Sequence, residues 1–577
     1  MRKLVVSSLF ALAMVSVSGC KEPDPNAFET HVEGLRDVAG RANSISQLEA
    51  LVKTVATAPS DQSARKAEFI EKMLPVFDEI WETATPEQQV SMLNMLRDVG
   101  KPEAAPLFSK ALVLDGSDGA RKRVLAALGG IQKAKAIGST DRVVALMQEL
   151  IKDPSKDRSK TGEGELRLEL AKTLGELRDK KGVPVLIDAM LQTKEAQPVA
   201  VHREAAKALG MIKDPAAVDA LLTVSFRVPD APSTTDISNR SKLALVSIGE
   251  AAVPRLKDML AGKFEEVNKL ASDHDVPLLV VQQTAVGILG SLGTKSATDE
   301  LIAFMPQKDC VPAPVAKKPV KKKGKKDEEE EPTQEDADDA SLRAFVANTL
   351  GIIGDPRGVA PMCKCINATH NPADMFPITE ALGRIGGPEA FKCLAETAKT
   401  GEYDPEALEN SDFRHQIRWE AARFAILVAS PEDLPTLQDA LKGATADGDK
   451  KVVEELAKWD AGLKLLETCK ADKACYTKTL QDANADWFAR EKAAFEIARL
   501  SPGDKAAALE ISKAFKVRNP DARVSMALLV SRVLGDTKCS ECATALEDVM
   551  KGEKGSMDAS MQLPVLTART TIARIAE

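Results

Sequence analysis

Tyrosine and histidine are almost missing from this chain. Its 577 residues hold two tyrosines, Tyr403 and Tyr476, and five histidines, and aromatic residues make up only 4%. The histidines, His31, His202, His274, His370 and His415, are scattered along the sequence. No His-Glu-x-x-His, Gly-x-Ser-x-Gly or Gly-x-x-x-x-Gly-Lys-Ser/Thr motif occurs, so the sequence offers no catalytic or phosphate-cradling constellation. Positive charge is not in excess either. A net charge of -8 argues against nucleic acid as a partner, because phosphate binding needs a cationic surface. Nine cysteines are too few for a disulfide-dense miniprotein of this length. No apolar run beyond residue 20 reaches the ~20 residues that span a bilayer. What is present is 44% hydrophobic and 28% charged residues, enough to fold most of the chain. At about 150 residues per domain, there is room for several domains or for one long array.

The first 20 residues, MRKLVVSSLFALAMVSVSGC, form an address. Arg2 and Lys3 supply a short positive region, and Leu4 to Val17 an apolar stretch too short to span. The ending Val17-Ser18-Gly19-Cys20 resembles a bacterial lipobox. That resemblance implies cleavage between Gly19 and Cys20 and lipid attachment to the Cys20 thiol. It makes 1–19 a lipoprotein signal peptide and 20–27 a lipidated tether, with two prolines and no apolar periodicity. Several acyl chains at ~0.8 kcal/mol per buried methylene give stable anchoring. Lys21 stands where lipoproteins retained at the inner membrane often carry Asp, so the outer membrane of a bacterial envelope is expected, facing the periplasm or the cell surface. Loss of Arg2 and Lys3 would take the net charge from -8 to -10.

The body repeats. VHREAAKALGMIKDPAAVDALL at 201–222 places Val201, Ala205, Ala208, Leu209 and Ile212 at helical spacing, breaks at Asp214-Pro215, and resumes with Val218, Leu221 and Leu222. The same pattern returns at 166–187, 281–302 and 342–363, with weaker copies at 89–112, 123–131, 240–260, 378–398, 418–441, 490–511 and 523–546. A Leu-Gly pair anchors six of these, at 128–129, 174–175, 209–210, 289–290, 350–351 and 382–383. An arginine stands four residues before an alanine at Arg167, Arg240, Arg343, Arg418, Arg490, Arg523 and Arg569, and is expected to reach the rim or to pair across repeats. His202 occupies the position of Arg167 and Arg343, which gives it a structural role.

The runs Ala-Leu-Gly-x-Ile-x-Asp-Pro at 208–215 and Thr-Leu-Gly-Ile-Ile-Gly-Asp-Pro at 349–356 resemble HEAT-like repeats of bacterial proteins. The resemblance implies an all-α fold: an α-solenoid of stacked HEAT-like helical hairpins, about ten or eleven repeats, whose second helices line a concave face. Tetratricopeptide repeats lean on Trp and Tyr, which are scarce here, and the Thr-Pro-Leu-His turn of ankyrin repeats does not occur. The expected layout is an N-terminal helical cap at 28–88, a first array at 89–305, a disordered insertion at 306–341 and a second array at 342–577. Residues 563–575 are expected to form a terminal helix. KKVVEELAKWDAGLKLLETC, 450–469, reads as one extra helix by the spacing of Val453, Leu456, Leu463 and Leu466.

The insertion carries seven lysines within 317–326 and nine acids within 327–339. It has too little apolar surface to offset the entropy of ordering. With Cys20 lipidated, eight cysteines remain, all in the later half: Cys310, Cys363, Cys365, Cys393, Cys469, Cys475, Cys539 and Cys542. Cys469 and Cys475 flank a short turn and suit a disulfide, as do Cys539 and Cys542. The other four allow two further bridges whose connectivity the sequence leaves open. A metal site of Cys363, Cys365, Cys393 and His370 is disfavoured, because residues two apart on a helix point to different faces. No metal or other cofactor is expected beyond the lipid. The expectation is a lipid-anchored, non-enzymatic scaffold that binds a protein partner through its concave surface. A thiol-redox or metal-handling factor using the late cysteines, and a surface adhesion or cell-wall-binding lipoprotein, are the alternatives.

Overall fold

The computed structural model describes residues 24, 26–57, 63–159, 162–193, 196–226, 234–306, 310, 334–366, 372–403, 414–514, 539–542 and 544–545. The signal segment with Gly19 and Cys20, most of the charged insertion, Arg523, Arg569, His370 and the 563–575 helix lie outside them. The chain divides into two compact units, Met1–Lys181 and Gly182–Glu577. Each unit is a stack of antiparallel helical hairpins, an all-α solenoid. The described strand structure is one two-residue antiparallel pairing, Arg158–Ser159 with Gly162–Glu163, inside a loop.

The repeat's local chemistry is plain at Val199–Ile212. Val201, Ala205, Ala208 and Leu209 are fully buried on one side of this helix. The helix ends at Lys213, in the left-handed region, whose N–H donates to the Leu209 carbonyl. The Asp214 carboxylate then accepts from the Ala216 N–H at 2.9 Å, Pro215–Ala217 makes a 3-10 turn, and Val218–Val224 returns. Gly354, Asp355 and Pro356 repeat this between Gln334–Ile353 and Val359–Ile366, with Asp355 accepting from the Arg357 N–H.

The Leu-Gly anchor has a steric cause. A Cβ on Gly210 would lie 2.8 Å from Ala244 Cα, and one on Gly351 would lie 2.7 Å from Ala381 Cα. Glycine lets the first helix of one hairpin approach the backbone of the next, which a larger side chain forbids.

Of the two expectations for the arginines, exposure at the rim fails, while pairing across repeats is found at Arg343, 2.9 Å from Asp374 of the next hairpin. Arg123, Arg167, Arg343, Arg418 and Arg490 are all buried, between 1% and 8% exposed, rather than reaching the rim. Several cap the C-terminal end of the preceding second helix, where carbonyls lack intrahelical partners. Arg343 donates to the Pro306 carbonyl at 3.2 Å, Arg418 to Gly401 at 3.0 Å and Arg490 to Leu480 at 3.1 Å. Arg123, which opens the weak copy at 123–131 but is not among the recurring arginines named from the sequence, donates to Val113 at 3.0 Å. Other polar residues do the same work. His202 Nδ1 lies 2.9 Å from the Met190 carbonyl, and Gln282 donates to Leu260 at 2.9 Å. Arg167 instead binds the buried Asp157 carboxylate at 3.2 Å, which also accepts from the Leu166 and Arg167 N–H groups. Arg240 is exposed, and the buried Ser241 takes its place against the Leu221 carbonyl.

Three boundaries differ from the sequence expectation. The 28–88 segment contains a hairpin, Arg41–Thr57 with Ser63–Ile80, and Arg41 donates to the Leu35 carbonyl at 2.7 Å as the repeat arginines do. The helix ending at Ile353 begins at Gln334, so residues 334–341 are helical although they fall in the expected disordered insertion. That helix packs directly on Leu278–Leu292, so the hairpins on either side of the charge block are neighbours, and the division of the chain falls at Lys181/Gly182 instead. Finally, the extra helix of 450–469 is two, Lys450–Ala457 and Asp460–Cys469, broken where Trp459 turns into the core, and Val453 is 49% exposed.

Candidate interaction surface

In each unit the second helices form a row, and polar links join many consecutive members. In the first unit Lys110 pairs with Asp78 at 3.0 Å, and Lys181, in the turn after Glu165–Leu177, pairs with Asp141 at 2.9 Å. In the second, Arg255 meets Asp219 at 2.8 Å, Lys257 meets Glu300 at 2.6 Å and Arg357 meets Asp299 at 2.8 Å. Lys399–Asp439 at 2.8 Å, Lys473–Asp504 at 3.2 Å and Lys505–Glu541 at 2.9 Å continue the series. Hydrogen bonding to Lys399, reinforced by its charge, holds the Asp439 carboxyl below the ordinary carboxylate range. Solvated pairs of this kind stabilise weakly but order long side chains into rows.

A denser cluster lies where the extra helices join the second unit. Arg423 sits over the rings of Trp459 and Trp487 at 5.1 and 5.6 Å and approaches the buried Glu491 carboxylate at 3.9 Å. The two tryptophan rings meet edge to face at 5.7 Å. Arg423 thus fills the aromatic box itself and fastens the inserted helices to Gln416–Val428. Beside it, an apolar cavity of about 340 Å³ is lined by Ile426, Leu441, Leu456 and Leu463.

A second cavity of about 340 Å³ opens at the hairpin turns. Pro372–Ile385 and Pro388–Thr400 are joined by Gly386 and Gly387 alone, both at positive φ, without the 3-10 turn found in most other hairpins. The shortened turn leaves space between Pro356 on one side and Phe495, Glu496 and Arg499 on the other. Behind this wall, the fully buried Lys492 donates to the Leu427 and Ala429 carbonyls at 3.0 and 2.6 Å and to Glu496 at 2.9 Å. Burial pushes its pKa down, against the pull of Glu496. With three acceptors in place, Lys492 is a helix cap in the core, not an exposed base.

The eight late cysteines are joined as Cys310–Cys365, Cys363–Cys393, Cys469–Cys475 and Cys539–Cys542. Cys363 and Cys365 thus turn to different partners, and no thiol set is left for a metal. Among the described residues no three His, Cys, Asp or Glu side chains converge as a metal site. Cys539 and Cys542 are 1% and 0% exposed, packed against Ile497 and Ile511. His31, His202, His274 and His415 lie in separate helices and loops and are not brought together. The aromatic box escaped the sequence reading. Its only signal was that Trp459 and Trp487, two of four tryptophans, fall inside or beside the non-repeating stretch.

Residues 158–231 match the family of HEAT repeats. No curated protein matches the chain. Among solved structures it is similar to human deoxyhypusine hydroxylase in complex with glycerol, at 17% identity over 60% of this chain and 97% of that one, TM-score 0.20. It is also similar to the CpcE–CpcF complex of phycocyanin lyase from Nostoc sp. PCC7120, at 19% identity over 56% and 94%, TM-score 0.23. A mutant of the karyopherin Kap121p matches at 11% identity over 96% and 63%, TM-score 0.33. Similarity this low says nothing about function. The fold is an all-α solenoid, and the match to HEAT repeats covers residues 158–231 of it.

Proposed function

We propose that this chain is a non-catalytic protein-binding scaffold, held at a bacterial envelope membrane by lipid on Cys20. The observation that carries the binding role is the row of second helices. Ion pairs order it along successive hairpins, which suits an extended protein contact better than a small-molecule cleft. The bridges among the later cysteines support an oxidising compartment, where such bonds persist. The lipobox-like ending at Cys20 supports the anchor, and Lys21 favours the outer membrane. A thiol-exchange role is less well supported, because solvent does not reach the Cys539–Cys542 sulfurs. Crosslinking and affinity purification of the full chain from its native membranes is the test. A reproducible protein partner, lost when exposed second-helix residues such as Lys392 and Lys399 are reversed to Glu, is expected. Failure to recover any protein overturns the scaffold reading. Labelled fatty acid that fails to incorporate, or incorporates equally into Cys20→Ala, overturns the anchor.

A further inference from the structure

The four disulfides differ in what they join and in how far solvent reaches them. Cys469–Cys475 and Cys539–Cys542 close local segments, with sequence separations of 6 and 3. The other two span hairpins, with separations of 55 and 30. In Cys310–Cys365 both residues are 0% exposed. In Cys363–Cys393, Cys393 is 7% exposed and Cys363 is partly exposed. Position adds a second distinction. Asp299 of Thr298–Phe304 pairs with Arg357 in the turn just before Val359–Ile366, and Lys399 of Pro388–Thr400 pairs with Asp439 of Leu434–Ala444. Between Val359–Ile366 and Pro388–Thr400 there is, among the described residues, no ion pair or side-chain hydrogen bond. The exposed Lys364 and Lys392 beside the two cysteines carry the same sign. The disulfide stands where the neighbouring junctions have an attractive pair.

We infer that Cys363–Cys393 is a reducible joint, opened by a dithiol in the folded protein and controlling how tightly these two hairpins hold together. The step balances. A thiolate of the dithiol attacks the accessible Cys363 sulfur, forming a mixed disulfide and expelling Cys393 as a thiolate that takes up a proton. The dithiol's second sulfur, after losing its proton, attacks the first, releases Cys363 to be protonated and closes the reductant's own disulfide. Two electrons pass to the bridge, and exposed bridges are the labile ones. Once open, the junction keeps only its apolar packing, with two like charges at its surface.

The test is graded reduction of the oxidised full chain with dithiothreitol under native conditions, followed by alkylation and mass mapping. Cys363 and Cys393 are expected to label about tenfold faster than Cys310 and Cys365. Amide exchange across Val359–Thr400 is expected to rise in step, and the double variant C363S/C393S to show the same rise without reductant. Equal labelling of the two hairpin-spanning bridges overturns the proposal, as does unchanged exchange in the opened protein or the double variant. Neither readout involves a partner or the lipid, so the result stands apart from the scaffold reading.

Discussion

Of the buried repeat arginines, Arg123, Arg343, Arg418 and Arg490 cap a helix as well as carrying a charge, and Arg167 is the exception. Arg343 and Asp374 are each 1% exposed, their side chains 2.9 Å apart, and Arg343 also serves the Pro306 carbonyl. Arg343→Met removes a cationic partner of a buried carboxylate and the donor to a carbonyl together. The expected loss is about 3–5 kcal/mol, read from urea unfolding. Arg36, exposed and paired with Glu79, is the contrast, and Arg36→Ala is expected to leave the unfolding midpoint in place. The carboxylates that answer these cations set the acid limit. Asp115 is held well below its ordinary range by the Ser117 hydroxyl and then by Arg123. A depressed carboxyl contributes stability above its unfolded pKa of about 3.9, and that contribution disappears as pH falls through the lower folded value. Asp115→Asn is therefore expected to flatten the fall in stability below about pH 4, checked by thermal unfolding across that range. The sequence showed arginine at a recurring place but not its burial, because the carbonyls it caps lie 10 to 37 residues earlier, outside its own helix. His202, Gln282 and Ser241 fill the same role with different chemistry, and no one-residue pattern gathers them.

At the scale of the helix, glycine decides how close neighbours come. Gly351→Ala would place a Cβ 2.7 Å from Ala381 Cα, a backbone atom that cannot swing aside. Overpacking there is expected to cost about 1–3 kcal/mol and to raise amide exchange in Gln334–Ile353 and Pro372–Ile385. Gly287, inside Leu278–Leu292, reverses the sign. A Cβ there meets only the Phe345 ring edge at 3.4 Å, so Gly287→Ala is expected to stabilise by up to about 1 kcal/mol through helix propensity. The hairpins were legible because Leu-Gly and Asp-Pro are short-range signals: one permits a close approach and the other ends a helix. The break at Trp459 was not legible. Val453, Leu456, Leu463 and Leu466 keep a helical period through 450–469, and what interrupts it is a tertiary contact, Trp459 packing with Arg423 and Trp487 from distant helices. Composition named the partners of that box no better than the periodicity did.

At the scale of the whole molecule, the charge block divides the sequence more sharply than it divides the fold. Leu278–Leu292 and Gln334–Ile353 pack on each other, and Cys310–Cys365 ties the chain before the block to the hairpin after it. In the sequence, seven lysines followed by nine acids look like a boundary, because charge density is visible there and stacking is not. A stack of hairpins tolerates such an insertion, since each hairpin rests on its neighbours and closing a longer loop adds little entropy: about 0.6 kcal/mol for each doubling of length. Brief trypsin treatment separates a linker from a loop. If the lysine run 317–326 lies in a loop of a continuous stack, cleavage is expected first among Lys317–Lys326, with the thermal transition nearly unchanged and one band without reductant. Two fragments would then appear only when Cys310–Cys365 is reduced. Separation of the fragments before reduction would mean that this bridge does not hold them, and loss of the thermal transition on cutting would mean that the segment belongs to the folded stack.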